Sequence, residues 1–339
     1  MESKPRIWVL GAGGTIAGTG RSATHATYQS GQLAASELLA AVDGLEQVAE
    51  LQAETLFSKG SEDLGPSDWR TLALRINTLT ARPDVDGVVV THGTDTLEEA
   101  AFFLELVYQN PKPVVLTAAM RPATALSADG PANLYQAVLA CTSPRLRGGG
   151  VLVTLNGLVL PGWQTIKTDS VAVETFCAYP GGPLARIVGN RLQVFAKPVR
   201  APMAGIFHAL LDRASPLPTV GIVPVYGGCN EKPLALWQHS HGGGMVIASF
   251  GAGTVPEPMA ALARDMAAAG CLIVISSRVR NALVLPETMT LQGVTGVIAA
   301  GYLNPQKSAL LLSLALAAGL KSKAITALFE EFSCIPLQI

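Results

Sequence analysis

The chain has 339 residues, enough for two domains and a sizeable core. Its formal net charge of −1 argues against a nucleic-acid partner or a polybasic membrane contact. Charged residues make up only 14% and hydrophobic ones 49%, yet no apolar run reaches the ~20 residues of a membrane span, so the surplus apolar surface is expected between subunits.

The start of the chain, Met1 to Ile7, lacks the apolar core of a signal peptide. The five cysteines (Cys141, Cys177, Cys229, Cys271, Cys334) form no C-x-x-C pair. They read as free, mostly buried thiols in a reducing compartment, and a cytoplasmic location is the expectation. Ile7 to Leu10 is a short apolar strand that runs into Gly11-Ala12-Gly13-Gly14-Thr15-Ile16-Ala17-Gly18. Glycines directly after a strand permit tight turns and close backbone approach. A dinucleotide fingerprint fails here, because Ile16 stands at the third glycine position; no Gly-Lys-Ser/Thr follows to make a P-loop. What remains is Thr15, presented on a glycine loop at a strand's carboxyl end. Gly18 to Gly31 is rich in Gly, Ser, Thr and Gln, with Tyr28 as its only aromatic residue. It reads as a mobile loop long enough to be a functional lid.

Leu33 to Val42 reads as a helix, Glu54 to Leu56 as a strand, Phe57 to Asp63 as a polar turn, and Pro66 to Leu79 as a helix. Within the turn, Ser61 and Glu62 either cap and solvate the loop or bind the charged α-groups of an amino acid. Val88-Val89-Val90 reads as a buried strand. Thr91-His92-Gly93-Thr94-Asp95-Thr96 follows, and Leu97 to Val107 carries apolar residues at helical spacing. Thr96 and Glu99 stand in capping-box register, so a helix starts near Thr96. Thr94 and Asp95 thus fall where a strand gives way to a helix, the edge at which open α/β sheets bind ligands.

Pro113 to Thr117 and Gly150 to Leu155 are further strands, and Asp129-Gly130-Pro131 is a turn and cap before a helix. Lys167 lies in the polar run Gln164 to Asp169, where a loop lysine is normally solvated. The alternation to this point predicts a parallel α/β sheet. Between Leu192 and Pro218 the pattern weakens, with Pro-rich stretches at Lys197 to Pro202 and Ser215 to Pro218; this reads as an interdomain linker. From Thr219 a shorter alternation begins. Its strands are expected at Val220 to Val225, Met245 to Ser249, Cys271 to Ser276 and Gly296 to Ala299, and its helices at Pro258 to Ala269 and Lys307 to Ala318. His239 and His241 have no third ligand in spacing, so no metal site is expected.

Gly13-Gly14-Thr15-Ile16-Ala17 and Thr91-His92-Gly93-Thr94-Asp95-Thr96 resemble the two signature motifs of the bacterial-type L-asparaginase family. The resemblance extends to Ala119-Met120-Arg121-Pro122, to Ser127-Ala128-Asp129-Gly130-Pro131 with Asn133-Leu134, to Ser276-Ser277-Arg278-Val279, and to Leu303-Asn304-Pro305-Gln306-Lys307. It covers nearly the whole chain. It implies a larger N-terminal α/β domain with a mostly parallel sheet (residues 1–191), a linker (192–218), and a smaller C-terminal flavodoxin-like α/β domain (219–339). It also implies a homotetramer built from dimers that complete the active sites, with no cofactor and no metal.

The activity implied is a threonine-dependent conversion of L-asparagine to L-aspartate and ammonia through a β-aspartyl ester. By position, Thr15 is the nucleophile, and Tyr28 hydrogen-bonds it and closes over the substrate. Thr94, Asp95 and Lys167 form the second catalytic group. Ser61, Glu62 and Asp95 bind the substrate's α-carboxylate and α-ammonium; at position 62 the family carries Gln or Glu. Many members place asparagines from the neighbouring subunit at the site in a Gly-Asn-Gly-Asn setting. Here that segment is Gly251-Ala252-Gly253-Thr254. The partner-subunit glutamate that often assists the tyrosine is matched by Glu287, in a region compressed after Arg278. The alternative readings are a glutaminase-asparaginase or related small-carboxamide amidase, and a non-catalytic binding module. The joint presence of Thr15, Tyr28, Thr94, Asp95 and Lys167 speaks against the last.

Overall fold

The computed structural model describes residues 3–24, 27–198, 200–213, 215–237 and 243–333. His239, His241 and Cys334 lie outside the described residues. The chain divides into two compact units, Met1–Leu211 and Asp212–Ile339.

In the first unit the β-branched runs build one sheet. Its strands are β1 (Arg6–Ala12), β2 (Glu50–Phe57), β3 (Gly87–Thr91), β4 (Val114–Thr117), β5 (Val151–Leu155) and β6 (Leu158–Pro161). A separate short ribbon pairs β7 (Thr165–Lys167) with β8 (Phe176–Ala178). Two more strands, β9 (Ala185–Val188) and β10 (Arg191–Val194), return to the large sheet. The order across the sheet is β10-β9-β6-β5-β4-β3-β1-β2. The five strands from β2 to β5 pair in parallel, and β6, β9 and β10 extend the sheet antiparallel. Strands β3, β4 and β5 are buried along their whole length, as expected of parallel strands covered on both faces. Strand β2 is eight residues long where the sequence suggested three. It sits at the edge, alternates exposed with half-buried positions, and carries three glutamates or glutamines, which dilutes its strand signal.

The helices of more than one turn are α1 (Ala35–Ala40), α2 (Pro66–Thr80), α3 (Leu97–Val107) and α4 (Gly130–Cys141). Helix α3 covers the span expected of it, and every residue in it except Glu99 is buried. A helix buried on nearly every side belongs inside the core rather than on its surface. The expected capping box is not formed. The Thr96 side chain makes no cap bond; its hydroxyl donates instead to the Ser61 carbonyl, at 2.8 Å.

Within the stretch read as a linker, β10 completes the first sheet and Arg200 reaches the buried Glu105 carboxylate of α3 at 3.1 Å. Burial raises the Glu105 carboxyl above its ordinary range, and Arg200 and the Val151 and Ala201 N–H groups oppose that rise.

The second unit holds a four-stranded parallel sheet in sequence order: β11 (Gly221–Pro224), β12 (Gly244–Ser249), β13 (Leu272–Ser277) and β14 (Val297–Ala299). Its helices of more than one turn are α5 (Glu257–Ala268), α6 (Pro305–Ala317) and α7 (Ser322–Glu330). Among the described cysteines, Cys141 and Cys229 are buried, Cys177 and Cys271 are half-buried, and all four are free thiols. No described helix is long and apolar enough to cross a membrane.

Candidate active site

Three loops leave the carboxyl ends of the neighbouring strands β1, β2 and β3 and meet. The first carries Gly13, Gly14 and Thr15, the second Lys59, Gly60 and Ser61, the third His92, Gly93, Thr94 and Asp95. Gly14 has φ +80°, and a Cβ there would lie 2.3 Å from the Gly93 Cα and N. A Cβ on Gly93 would lie 2.5 Å from the Ser61 Oγ. Only glycine backbones allow approach this close. Cross-loop bonds complete the junction: Gly14 N–H donates to the Lys59 carbonyl (3.0 Å), and the Asp95 N–H donates to the Ser61 Oγ (3.2 Å).

This packing sets Thr15, Ser61 and Thr94 close to the same edge, all three buried. Thr15 opens a single 3-10 turn, Thr15–Ala17, after the glycines. Its Oγ lies 2.7 Å from the Tyr28 Oη. Tyr28 belongs to a two-residue ribbon, Tyr28–Gln29 against Thr19–Gly20, in the loop that the sequence marks as a lid. The base of that loop is held by the segment after β4: Ala123 N–H donates to the Gly18 carbonyl (2.9 Å) and Gly20 N–H to the Thr124 Oγ (2.8 Å). That segment is pinned in turn by Asp129, which accepts from the Met120 and Arg121 N–H groups.

Lys167 sits on strand β7 rather than in a loop. Its Nζ donates to the Thr94 Oγ at 2.9 Å and to the Asp95 Oδ1 at 2.6 Å. The Asp95 side chain is 61% exposed and that of Lys167 20%. An ion pair so open contributes ~0–1 kcal/mol to stability; its consequence is geometric, since it fixes the ammonium beside the Thr94 hydroxyl. Thr94 accepts from Lys167, so its own O–H proton is directed elsewhere. Glu62 is exposed in the turn Ser61–Asp63. The arrangement therefore offers two hydroxyls, one beside a phenol and one beside an ammonium, with carboxylates at the rim.

Thr254 and Glu287 belong to the second unit, both on its exposed surface. Thr254 closes a tight turn by donating its N–H to the Phe250 carbonyl (3.0 Å). Thr288, next to Glu287, donates its hydroxyl to the Ala252 carbonyl at 2.6 Å. The two segments are thus joined to each other within that unit.

Sequence reasoning passed over His92, which is fully buried between Thr91 and Gly93 of the motif. Its Nδ1 lies 2.8 Å from the Gly93 carbonyl; a carbonyl only accepts, so Nδ1 carries the proton. Its Nε2 has no hydrogen-bond partner among the described residues. Burial lowers its pKa to about 4, partly opposed by the Gly93 bond. The signal was available in principle, because a histidine in a strand–helix junction this short has little room to reach water.

Known proteins share this architecture. The family described as asparaginase, N-terminal, matches residues 6–200, and the glutaminase/asparaginase C-terminal domain matches residues 219–329. The L-asparaginase 2 of Escherichia coli is 36% identical over 328 residues, covering 97% of this chain and 93% of that protein. A probable periplasmic L-asparaginase of Haemophilus influenzae is 36% identical, with coverage of 97% and 93%. A crystal structure of a probable cytoplasmic L-asparaginase from Campylobacter jejuni aligns with TM-score 0.90 and 35% identity over 97% of this chain and 100% of that one.

His92 gives the stability a definite pH dependence. With a folded pKa near 4 and an ordinary unfolded value of 6.5, the unfolded state binds the extra proton between those limits. Stability is therefore full above pH 6.5 and falls as the pH drops toward 4, by up to about 3 kcal/mol from this residue. Denaturant titrations at pH 7 and pH 4.5 check this: His92→Gln should lose less stability on acidification than the parent.

Proposed function

The chain belongs to the asparaginase family, and from that premise we propose that it is an L-asparaginase whose nucleophile is Thr15. The observation that carries this reading is the meeting of Thr15, paired with Tyr28, and Thr94, paired with Lys167, at one sheet edge.

A threonine hydroxyl is a weak nucleophile until its proton is taken. The Tyr28 Oη accepts that proton while handing its own to the leaving amide nitrogen. The Thr15 Oγ bonds to the side-chain carbon of asparagine, the C–N bond breaks, and ammonia departs, leaving a β-aspartyl ester. The oxyanion formed on the way needs donors, and the Thr94 N–H just before α3 supplies one. Water oriented by Thr94 and Lys167 then attacks the ester, releasing aspartate and restoring the hydroxyl. Glu62 and Asp95 hold the substrate's α-ammonium, while Ser61 and nearby backbone N–H groups hold its α-carboxylate. No metal or cofactor takes part in this scheme.

Glutamine is the second reading. It is supported by the glutaminase/asparaginase description of the matching C-terminal domain. The assembly we propose is a homotetramer of dimers in which a second subunit brings Thr254 and Glu287 to each site. It accounts for the low charge content. The cytoplasm is the location we propose, in keeping with the free thiols.

Ammonia release from L-asparagine and L-glutamine, followed side by side, tests the substrate reading. Asparagine turnover should dominate, and Thr15→Ala should lower it by at least about 10³-fold while amino-acid binding persists. Full activity in Thr15→Ala would refute the nucleophile. Sedimentation velocity at micromolar concentration should give a tetramer; a stable monomer would contradict the shared-site assembly.

A further inference from the structure

Helix α3 begins two residues after Asp95, and its second residue is Glu98. The Glu98 side chain points into the protein, and the residue is only 2% exposed. Its Oε2 accepts a hydrogen bond from the backbone N–H of Lys167 at 2.6 Å. A carboxylate is favoured in the first turn of a helix by the exposed N–H groups there. Bonds from an amide to a carboxylate are also shorter and stronger than amide-to-carbonyl bonds.

Strand β7, which carries Lys167, is three residues long and pairs along one edge with β8, Lys167 standing opposite Phe176. Two-stranded ribbons this short are weak on their own. The Lys167 N–H is given to a side chain of α3. The same stretch of chain, Thr94 to Glu98, therefore grips Lys167 at both ends: Glu98 at the backbone nitrogen, Thr94 and Asp95 at Nζ. A lysine stem has four rotatable carbons and much conformational freedom. Fixing its origin against the element that presents its targets removes most of the ways in which Nζ misses Thr94.

We propose that Glu98 is a positioning residue for the reaction: its buried carboxylate sets the backbone of Lys167 so that the ammonium stands between the Thr94 hydroxyl and Asp95. This rests on the reading of Lys167 as part of the catalytic group. Loss of the acceptor would leave a half-buried N–H without that partner and let β7 shift against α3. A shift on the order of 1 Å near reacting groups costs about 10²-fold in rate.

The test is a double-mutant cycle on asparagine hydrolysis with Glu98→Ala, Lys167→Met and the pair. Glu98→Ala should lower kcat by about 10- to 100-fold with KM changed less than about threefold. In the Lys167→Met background the same change should cost less than about twofold, because the group it positions is gone. Glu98→Gln, whose amide oxygen still accepts the N–H, should restore most of the activity. Glu98→Asp keeps the charge but falls one carbon short, and should remain impaired while melting near the parent. Multiplicative losses in the pair, or parental kcat in Glu98→Asp, would overturn the proposal; the Glu98→Asp and Glu98→Gln comparison decides it if Glu98→Ala does not fold. Parental activity in Lys167→Met alone is a separate result, which would refute the catalytic role of Lys167 itself.

Discussion

The backbone of Gly14 lies against the backbone of Gly93, and the candidate site depends on that contact. Neither position tolerates a Cβ, since one would fall within 2.3 Å and the other within 2.5 Å of its neighbour across the junction. The sheet order makes the contact possible. Strands β1 and β3 are adjacent and parallel, so the loops that leave them start side by side at the same edge. The glycines then let two chemically active loops collapse onto each other and onto Ser61. A threonine from each is delivered to one place, Thr15 at the start of a single 3-10 turn and Thr94 in the loop before α3.

The second half of the arrangement is built by charge rather than by close packing. Lys167 comes from a short ribbon outside the main sheet; it reaches the Thr94 loop through an exposed ion pair and is tied to α3 by a part-buried backbone bond to Glu98. The exposed pair adds little to folding, so its place in the structure is explained by where it holds Nζ. Helix α3 links the two halves. Its apolar surface locks it into the core, its N-terminus presents Thr94 and Asp95, and its buried glutamates bind neighbouring backbone: Glu98 that of Lys167, Glu105 that of Val151 and Ala201.

Much of this was legible in the residues. The β-branched runs at Val88 to Val90, Val114 to Leu116 and Val151 to Val153 announce buried parallel strands, and α3 ends where its spacing says. The glycine loops and the two motifs point to the sheet edge where the threonines meet. The rest was hidden for physical reasons. Strand β2 is an edge strand whose polar side chains face water. Residues 158–194 pair antiparallel in short pieces, which carry too few residues for a period to show. Lys167 looked like a loop lysine because its strand is three residues long and its partner, eleven positions away, is equally short. Thr96 fits a capping box in spacing, yet its hydroxyl finds the Ser61 carbonyl, a partner that only the tertiary fold supplies. Glu98 gave no sequence signal beyond being polar in apolar surroundings, His92 only its place in a short strand–helix junction, and the meaning of both lies in which atoms burial leaves them to meet.

The central claim is that Thr15, delivered by the Gly14–Gly93 junction, takes the acyl group. Acid quenching during asparagine turnover, followed by proteolysis and mass spectrometry of the peptides, tests it most directly. The account predicts an aspartyl group on the peptide that contains Thr15, absent when Thr15 is replaced by alanine. An aspartyl group on the peptide that contains Thr94 would contradict it.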